Sequence, residues 1–275
     1  MGMPMAKRLH TAGYDIKVYN RTLKKAALSG MHFVEKLEDL LKDRDVIITM
    51  LFDADSVEEV YQEIFKTGDI SGKIFIDMTT GYPKTSKKIA EEIIKRNADF
   101  LEAPVIGSVQ PAEKGQLTIL VSGDENTLNR VYEIFSVLGK KIFYMGEYGT
   151  ASCMKLINNS VLGSFLTAIC EAVVFAEKSG IDKKTAIEIL ENGAGQSMVL
   201  SAKKDKILHE NYETQFSVDL INKDLNYALN LSKDINLPVP FTNLAREFYI
   251  SAKANNLGDK DFSAVLEIFK KLGGI

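Results

Sequence analysis

The sequence predicts an α/β domain followed by an all-α domain. Before Gly149, short apolar runs alternate with amphipathic stretches, which is the pattern of a mostly parallel sheet covered by helices. After Gly149 the strand pattern stops, and long stretches with helical periodicity follow. The 275 residues, of which 45% are hydrophobic and 26% charged, suffice for two domains with cores of their own. We therefore predict domains at residues 1–148 and 149–275.

Each strand of the first domain is predicted from a short run of aliphatic and aromatic residues. These runs are Asp15–Tyr19, Val46–Met50, Ile74–Asp77, Phe100–Ala103, Leu117–Val121 and Ile142–Tyr144. Amphipathic stretches between them predict helices over Pro4–Thr11, Leu37–Lys42, Ser56–Phe65, Thr85–Arg96 and Asn126–Leu138. In the second domain, helices are predicted over Thr150–Ser179, Lys183–Glu191, Met198–Leu208, Val218–Asn236, Phe241–Ala254 and Ser263–Lys271.

The composition argues against several classes of function. A formal net charge of −3 gives no basic field for nucleic acid or an acidic membrane surface. The most apolar run, Val161–Cys170, is too short to span a bilayer and is followed by Glu171. Cys153 and Cys170 lie too far apart on one predicted helix to form a disulfide, so we expect a reducing, cytoplasmic setting. The three histidines have no metal-ligand spacing, and we predict no metal.

The helix predicted after Gly149 carries unusual polar residues. From Ala151 to Ala176 its only charged residues are Lys155 and Glu171. Lys155 and Asn159 share a face, one turn apart. Asn159 follows another asparagine, and adjacent asparagines are poor helix formers, so propensity alone does not explain them. A lysine near a helix start often reaches water, and the residues by themselves leave its role open.

The start of the chain has features of a dinucleotide site. Gly2 and Met3 directly precede the first predicted helix, and Asn20, Arg21 and Thr22 follow the next strand. A glycine at such a helix start permits close helix–strand packing. An acidic residue after the strand would bond the ribose 2′-hydroxyl of NAD, whereas an amide, a fixed cation and a hydroxyl suit the 2′-phosphate of NADP. A solvated arginine in a turn is the alternative.

Two further loops follow predicted strands. Met50 and Leu51 come after one strand, and Thr80 lies in the Asp-Met-Thr-Thr sequence that ends the next. Ligands of open α/β sheets bind outside the carboxyl ends of the strands, which is where these three residues lie. Thr80 taken alone is equally typical of a helix N-cap.

A candidate carboxylate-binding loop follows the strand at residues 100–103. It reads Pro-Val and then Ile106, Gly107 and Ser108, with Pro-Ala-Glu-x-Gly downstream. Backbone amides near Gly107 and Ser108, together with the serine hydroxyl, can hold a carboxylate, and Ile106 would make one wall of the pocket apolar. A simple turn at Gly107 is the alternative.

In their order along essentially the whole chain, these segments resemble the β-hydroxyacid dehydrogenase superfamily, whose members include 3-hydroxyisobutyrate dehydrogenases. The resemblance also includes Gly149-x5-Lys155-x2-Asn-Asn and the Lys-Asp-Leu sequence that begins at Lys223. The aliphatic residue at position 106, the serine at 108 and the Pro-Ala-Glu-x-Gly segment are most similar to the glyoxylate and succinic semialdehyde reductases of that superfamily.

The resemblance implies a Rossmann-like sheet, here lacking its first strand, and NADPH-dependent reduction of a small aldehyde or keto acid. It makes Lys155 the proton donor and lets Asn159 bond the substrate or the ammonium. It assigns substrate binding to Ile106, Gly107, Ser108 and Lys223, and it leaves Asp224 open. Weaker candidates for the pocket lining are Ser197 and Phe216. It further implies that Met50, Leu51 and Thr80 line the cofactor, which is NADP(H), with NAD(H) as a second option. For assembly it implies a homodimer or homotetramer built partly through the helical domain.

Two alternatives stay open at this point. One is an NAD-dependent 3-hydroxyisobutyrate dehydrogenase, which the pair Asn20-Arg21 and the residue Ile106 disfavour. The other is a catalytically silent dinucleotide-fold binding module. The incomplete glycine motif suits such a module, whereas Lys155 and Asn159 disfavour it.

The beginning of the motif gives a separate expectation. The first strand and the first two glycines of a Gly-x-Gly-x-x-Gly motif do not precede Gly2 in this sequence. Those glycines form the turn on which the pyrophosphate rests. We expect the biological protein to be longer by roughly one strand and its turn, with Met1 internal. A chain that starts at Met1 should then bind NADPH weakly or be poorly soluble.

Overall fold

The computed structural model describes residues 1–22 and 30–275. The chain divides into two compact units, Met1–Lys155 and Leu156–Ile275. One helix, Thr150–Lys178, contributes its first turns to the first unit and the rest to the second.

Strands and helices alternate through the first unit. In chain order its described elements are α1 (Gly2–Thr11), β1 (Lys17–Val18), β2 (His32–Phe33), α2 (Leu37–Leu41), β3 (Val46–Thr49), α3 (Ala54–Ile64), β4 (Ile74–Asp77), α4 (Pro83–Ile94), β5 (Asp99–Glu102), β6 (Val105–Ile106), α5 (Val109–Glu113), β7 (Leu117–Gly123), α6 (Glu125–Leu138) and β8 (Gly139–Tyr144).

The described strands form two sheets. Strands β1 and β2 pair with each other in parallel, and the remaining strands follow the order β3-β4-β5-β7-β6, with β8 also paired to β7. Strands β3, β4 and β5 are mutually parallel, whereas β7 runs antiparallel to β5 and β6. This is the Rossmann-like α/β architecture that the sequence predicts.

The larger sheet is covered on both faces. Along β4, Ile74 and Ile76 enter one apolar cluster, and Phe75 enters another that includes Tyr61 and Phe100. Successive side chains of a strand point to opposite faces, so a strand buried on both faces has a continuous apolar sequence. That requirement explains why this strand shows no polar alternation before Asp77.

The second unit is helical. Its elements are the greater part of α7 (Thr150–Lys178), then α8 (Lys183–Asn192), α9 (Met198–His209), α10 (Val218–Asp234), α11 (Pro240–Ala254), a 3-10 turn (Phe262–Val265) and α12 (Leu266–Gly273). Three of these helices begin at side-chain caps: Asp182, Ser197 and Ser217 accept hydrogen bonds from the backbone N–H groups of Thr185, Leu200 and Leu220.

A buried ion pair joins elements of the helical unit. Lys203 Nζ of α9 lies 2.8 Å from Asp261 Oδ2, and both side chains are buried. The other carboxylate oxygen of Asp261 accepts from the backbone N–H and the hydroxyl of Ser263, at 3.2 and 2.8 Å. These bonds satisfy a charge that would otherwise be costly to bury.

The structure adds elements that the sequence did not indicate. Strands β2 and β6 have two residues each, too few for a periodic pattern to form. Helix α5 has five residues, one of them a proline. The helix predicted over Ser263–Lys271 is divided into the 3-10 turn and α12.

One helix meets the length and hydropathy criteria for a membrane span. Among the described residues, the helix Thr150–Lys178 is long and apolar enough to cross a membrane. Core helices of soluble proteins meet the same criteria, so this property is weak evidence for a membrane segment.

Candidate active site

A row of buried polar side chains crosses the larger sheet where β3, β4 and β5 end. Thr49 is the register partner of Asp77, Asp77 of Glu102, and Glu102 of Ser122. All four are buried. Ligands of open α/β sheets bind outside the carboxyl ends of such strands, so this row lies directly beneath the candidate cofactor loops.

Asp77 connects the two loops that follow β3 and β4. Its Oδ1 accepts from Thr49 Oγ1 at 2.8 Å and from the Thr79 backbone N–H at 3.2 Å. The Thr79 hydroxyl in turn accepts from the Leu51 backbone N–H at 2.9 Å. The predicted cofactor residues Met50 and Leu51 in one loop, and Thr80 in the other, are therefore held in fixed register.

Burial changes the acidity of this aspartate. Desolvation raises the pKa of Asp77 to about 6, against an ordinary value of 3.8, and the nearby Glu102 carboxylate adds to the rise. The hydrogen bonds from Thr79 and Thr49 oppose it. Burial disfavours the ionised carboxylate, whereas each hydrogen bond that its oxygens accept favours it.

The residues predicted to line the cofactor include groups of the types that bind a dinucleotide. Helix α1 begins at Gly2, with Met3 in its first turn, and a Cβ placed on Gly2 would lie 3.5 Å from Met50 Cβ. The N-terminus of this helix and the hydroxyl-bearing loops are donors suited to a pyrophosphate and its riboses.

The segment after β1 forms a short turn. Asn20 Oδ1 accepts from the backbone N–H of Thr22 at 2.9 Å, and Asn20, Arg21 and Thr22 are all exposed. The exposed guanidinium of Arg21 therefore follows the strand end, where a 2′-phosphate would need a cation.

The candidate carboxylate loop requires its glycine. Gly107 has φ +137°, and a Cβ there would lie 2.8 Å from Leu117 Cδ2 and 3.2 Å from Pro111 Cβ. Ile106 ends β6 half-buried, and Gly107 itself is exposed. Ser108 precedes α5, and among the described residues its hydroxyl caps none of that helix's N–H groups. The exposed backbone of Gly107 and the hydroxyl of Ser108 are therefore adjacent in this loop.

Lys155 is buried in the first turns of α7. The start of that helix is bound to the sheet: Glu102 Oε2 accepts from Gly149 N at 2.6 Å, and Glu102 Oε1 accepts from Ser152 N at 2.8 Å. Ser122 Oγ accepts from Ala151 N at 2.9 Å. The two residues at the end of the polar row therefore fix the beginning of the lysine helix.

Asn159 belongs to a polar cluster in the helical unit. Its Nδ2 donates to Asp224 Oδ2 at 2.6 Å, and its Oδ1 accepts from Asn158 Nδ2 at 3.1 Å. Lys223 Nζ lies 3.1 Å from Asp224 Oδ1 and 5.4 Å from the centre of the Tyr227 ring. Asn159, Lys223 and the residue left open in the sequence, Asp224, are therefore neighbours.

The weaker candidates for pocket lining have structural partners. The hydroxyl of Ser197 caps α9, and Phe216 packs edge-to-face against Phe262 with ring centroids 5.5 Å apart.

The sequence analysis assigned no role to Asp77, Glu102 or Ser122, and it left the role of Asp224 open. Asp77 and Glu102 each end an apolar strand, and that position was the available signal. Partners such as Glu102 and Ser152 lie 50 positions apart in the chain, so no spacing rule could identify them.

Two protein families match the chain. Residues 1–146 match the family described as the NAD binding domain of 6-phosphogluconate dehydrogenase. Residues 149–269 match the family described as NAD-binding of NADP-dependent 3-hydroxyisobutyrate dehydrogenase.

Individual relatives agree with these families. Glyoxylate/succinic semialdehyde reductase 1 of Arabidopsis thaliana is 36% identical, covering 98% of this chain and 95% of its own. The chloroplastic reductase 2 of the same plant is 35% identical over 98% of this chain and 77% of its own. The structure of Mycobacterium tuberculosis 3-hydroxyisobutyrate dehydrogenase with L-serine superposes with a TM-score of 0.87 at 26% identity, covering 98% of this chain and 96% of that one.

The raised pKa of Asp77 predicts a pH-dependent stability. Between about pH 4 and pH 6 the unfolded chain has lost the proton that folded Asp77 keeps, so the free energy of unfolding falls as pH rises through this interval. Asp77→Asn removes this contribution. As pH rises from about 4 to about 6, the free energy of unfolding of the variant should therefore increase relative to that of wild type, by up to about 3 kcal/mol.

Urea unfolding at several pH values measures this difference. Asp99→Asn, which removes a half-buried carboxylate from the start of the neighbouring strand, is the matched control. Stability curves of Asp77→Asn and wild type that stay parallel from pH 4 to pH 6 would contradict the assignment.

Proposed function

Because the chain belongs to the β-hydroxyacid dehydrogenase superfamily, we propose that it reduces small aldehyde or keto acids of the glyoxylate or succinic semialdehyde type with NADPH. Membership makes it an NAD(P)-dependent oxidoreductase of the hydroxyacid dehydrogenase type. The observation that carries the proposal is the buried Lys155 on a helix bound to the strand ends beneath the cofactor loops.

The substrate class is supported by the carboxylate loop. The backbone of Gly107 is exposed, and Ser108 has a hydroxyl. The side chain of Ile106 is aliphatic, so it gives the substrate an apolar contact and no hydrogen bond. Such a loop suits a short acid whose carboxylate meets backbone donors and whose carbon chain meets an apolar wall. The names of the two Arabidopsis relatives agree with this class.

The proposed chemistry assigns a proton to Lys155. When bound, the nicotinamide supplies the hydride that adds to the carbonyl carbon. The Lys155 ammonium then donates a proton to the carbonyl oxygen, where negative charge develops, and the product is the alcohol. The neutral amine regains a proton from water. In the oxidative direction the neutral amine accepts the proton of the alcohol.

The polar cluster around Asp224 supports the substrate end of this proposal. Asn159 is one helical turn from Lys155 on α7, and its bond to buried Asp224 fixes its amide. Lys223, whose charge is partly offset by Asp224, is the proposed second cation for the substrate carboxylate.

The preference for NADPH rests on the turn after β1. Asn20 is bonded within the turn, which leaves the exposed cation of Arg21 and the hydroxyl of Thr22 for a phosphate. The family matched over residues 149–269 is described as NADP-dependent, which agrees with this preference.

The proposed partner is a second copy of the chain, in a homodimer or homotetramer. Ile157, Val161 and Phe165 are exposed along one face of α7, and Phe241 and Leu244 are exposed at the start of α11. The Ser164 hydroxyl, 3.4 Å from the Phe241 carbonyl, places the two helices side by side. We name these five residues the apolar stripe. Contiguous exposed apolar surface of this kind typically marks a protein interface, and a helix stripe can pair with itself about a two-fold axis.

Lys155→Ala should lower kcat for NADPH-dependent reduction of succinic semialdehyde by about 10²- to 10⁴-fold, the usual contribution of a positioned proton donor. The Kd of NADPH should change little, because the lysine acts on the carbonyl oxygen. Lys178→Ala, at the exposed far end of the same helix, is the control. Near-wild-type turnover of Lys155→Ala, with chemistry limiting the rate, would remove the lysine from the mechanism.

Arg21→Ala should weaken NADPH far more than NADH, because only NADPH carries the 2′-phosphate. Loss of one charge-assisted bond costs about 1.5–3 kcal/mol, which is about 10- to 150-fold in Kd. Fluorescence titration with both cofactors measures the two losses, and NADH serves as the internal control. Equal losses would mean that Arg21 contributes to structure and that the NADPH preference lacks support.

Phe165→Asp should dissociate the oligomer, because a charge would be buried in the apolar stripe at both ends of a two-fold contact. Sedimentation velocity on wild type should give two or four chain masses, and the variant a smaller species. Phe143→Asp, at a similarly exposed phenylalanine of β8, is the matched control and should leave the mass unchanged. An unaltered mass for Phe165→Asp, or a monomeric wild type, would refute this assembly.

A further inference from the structure

Helix α7 follows a residue that has no side-chain oxygen to cap it. The residue before it is Gly149, at φ +92°, where a Cβ would lie 2.7 Å from Lys87 Cε. A glycine there suits the backbone turn but offers no oxygen to the first N–H groups of the helix. Those groups have no partners within a helix and need acceptors from elsewhere.

The acceptors come from two paired strands. Glu102 of β5 takes the N–H groups of Gly149 and Ser152, and Ser122 of β7 takes that of Ala151. Glu102 and Ser122 are register partners, so the helix start is bound to one spot of the sheet by three bonds. The Ser122 hydroxyl also lies 2.8 Å from Thr150 Oγ1.

Glu102 is a costly residue for this position. Burial raises the pKa of its carboxyl, and the bonds from Ser152 and Gly149 oppose that rise. The positive end of the helix further favours the ionised form. A neutral serine or asparagine usually suffices to cap a helix, so a fully buried carboxylate that spans two N–H groups calls for a reason beyond capping.

We propose that Glu102 is a positioning residue for Lys155. Its bond to the backbone N–H of Ser152 holds the helix three residues before the lysine, about 4.5 Å along the helix axis, and so determines where the ammonium lies. This inference rests on the proposed role of Lys155 as proton donor. Displacement of a catalytic group by about 1 Å can cost 10²-fold in rate, so a helix start that is loosely held would lower turnover.

The charge of Glu102 changes the pKa of the Cys153 thiol in the first turn of α7. This pKa can be measured independently of enzyme activity. Burial raises the pKa of the Cys153 thiol, the Glu102 carboxylate raises it further, and Lys87 opposes both. Asp77 on the neighbouring strand is the other buried acid that faces Glu102. Removal of the Glu102 charge should therefore lower the pH at which Cys153 becomes reactive.

The test uses the full chain with Glu102→Gln, which keeps the size and one carbonyl oxygen but loses the charge and one acceptor. With NADPH and either glyoxylate or succinic semialdehyde, we expect kcat to fall about 10- to 100-fold. The KM of the aldehyde and the Kd of NADPH should stay within about two-fold of wild type. Asp182→Asn removes the charge of an ordinary cap on α8 and should leave kcat unchanged. Should Glu102→Gln fail to fold, Ser122→Ala removes the third bond and should lower kcat in the same direction.

Two further measurements complete the test. In a Lys155→Ala background, Glu102→Gln should have no further effect on kcat, because both act through the lysine. The midpoint pH for alkylation of Cys153 by iodoacetamide, without cofactor, should fall in Glu102→Gln. An additive loss in the double variant, an unchanged kcat in Glu102→Gln or an unchanged alkylation midpoint would each overturn the inference. If Lys155→Ala itself keeps full turnover, the proposed function fails first and this inference with it.

Discussion

The hydrogen bonds between Glu102 and the start of α7 are the constraint on which the arrangement of the first unit depends. They tie a helix of 29 residues to the end of a central strand. Without acceptors, the first N–H groups of this helix would be buried and unsatisfied, at a cost of roughly 1–3 kcal/mol each. The bonds therefore stabilise the first turn of the helix and hold that turn at the end of the strand.

The same polar row extends across the sheet to the cofactor loops. Asp77, one strand away from Glu102, holds Thr79 and Thr49, and Thr79 holds the loop of Leu51. Two acids side by side in a buried row repel each other, and burial keeps the pKa of both above the ordinary value. The cost of burying these two acids falls where two loops and the start of a helix meet at one edge of the sheet. Acids with shifted pKa values are common at functional sites.

Much of the fold was predictable because its signals are local. The continuous apolar sequence of β4 and the long helical periodicity after Gly149 predicted the α/β unit and the helical unit. Strands β2 and β6 were not predicted, since two residues carry no period. Within the site, Lys155 stood out as a charge on an apolar helix. Asp224 did not, because its partner Asn159 lies 65 positions away and a Lys-Asp pair usually lies on the surface.

We propose that this enzyme works chiefly as an NADPH-dependent reductase of small aldehyde acids, and steady-state kinetics with matched substrate pairs tests this claim most directly. We predict that kcat/KM for NADPH with succinic semialdehyde or glyoxylate exceeds that for NAD⁺ with 3-hydroxyisobutyrate by at least about ten-fold, roughly 1.4 kcal/mol in transition-state stabilisation. Oxidation of 3-hydroxyisobutyrate with NAD⁺ as the faster reaction, or tight NADPH binding without turnover of any aldehyde acid, would contradict the claim.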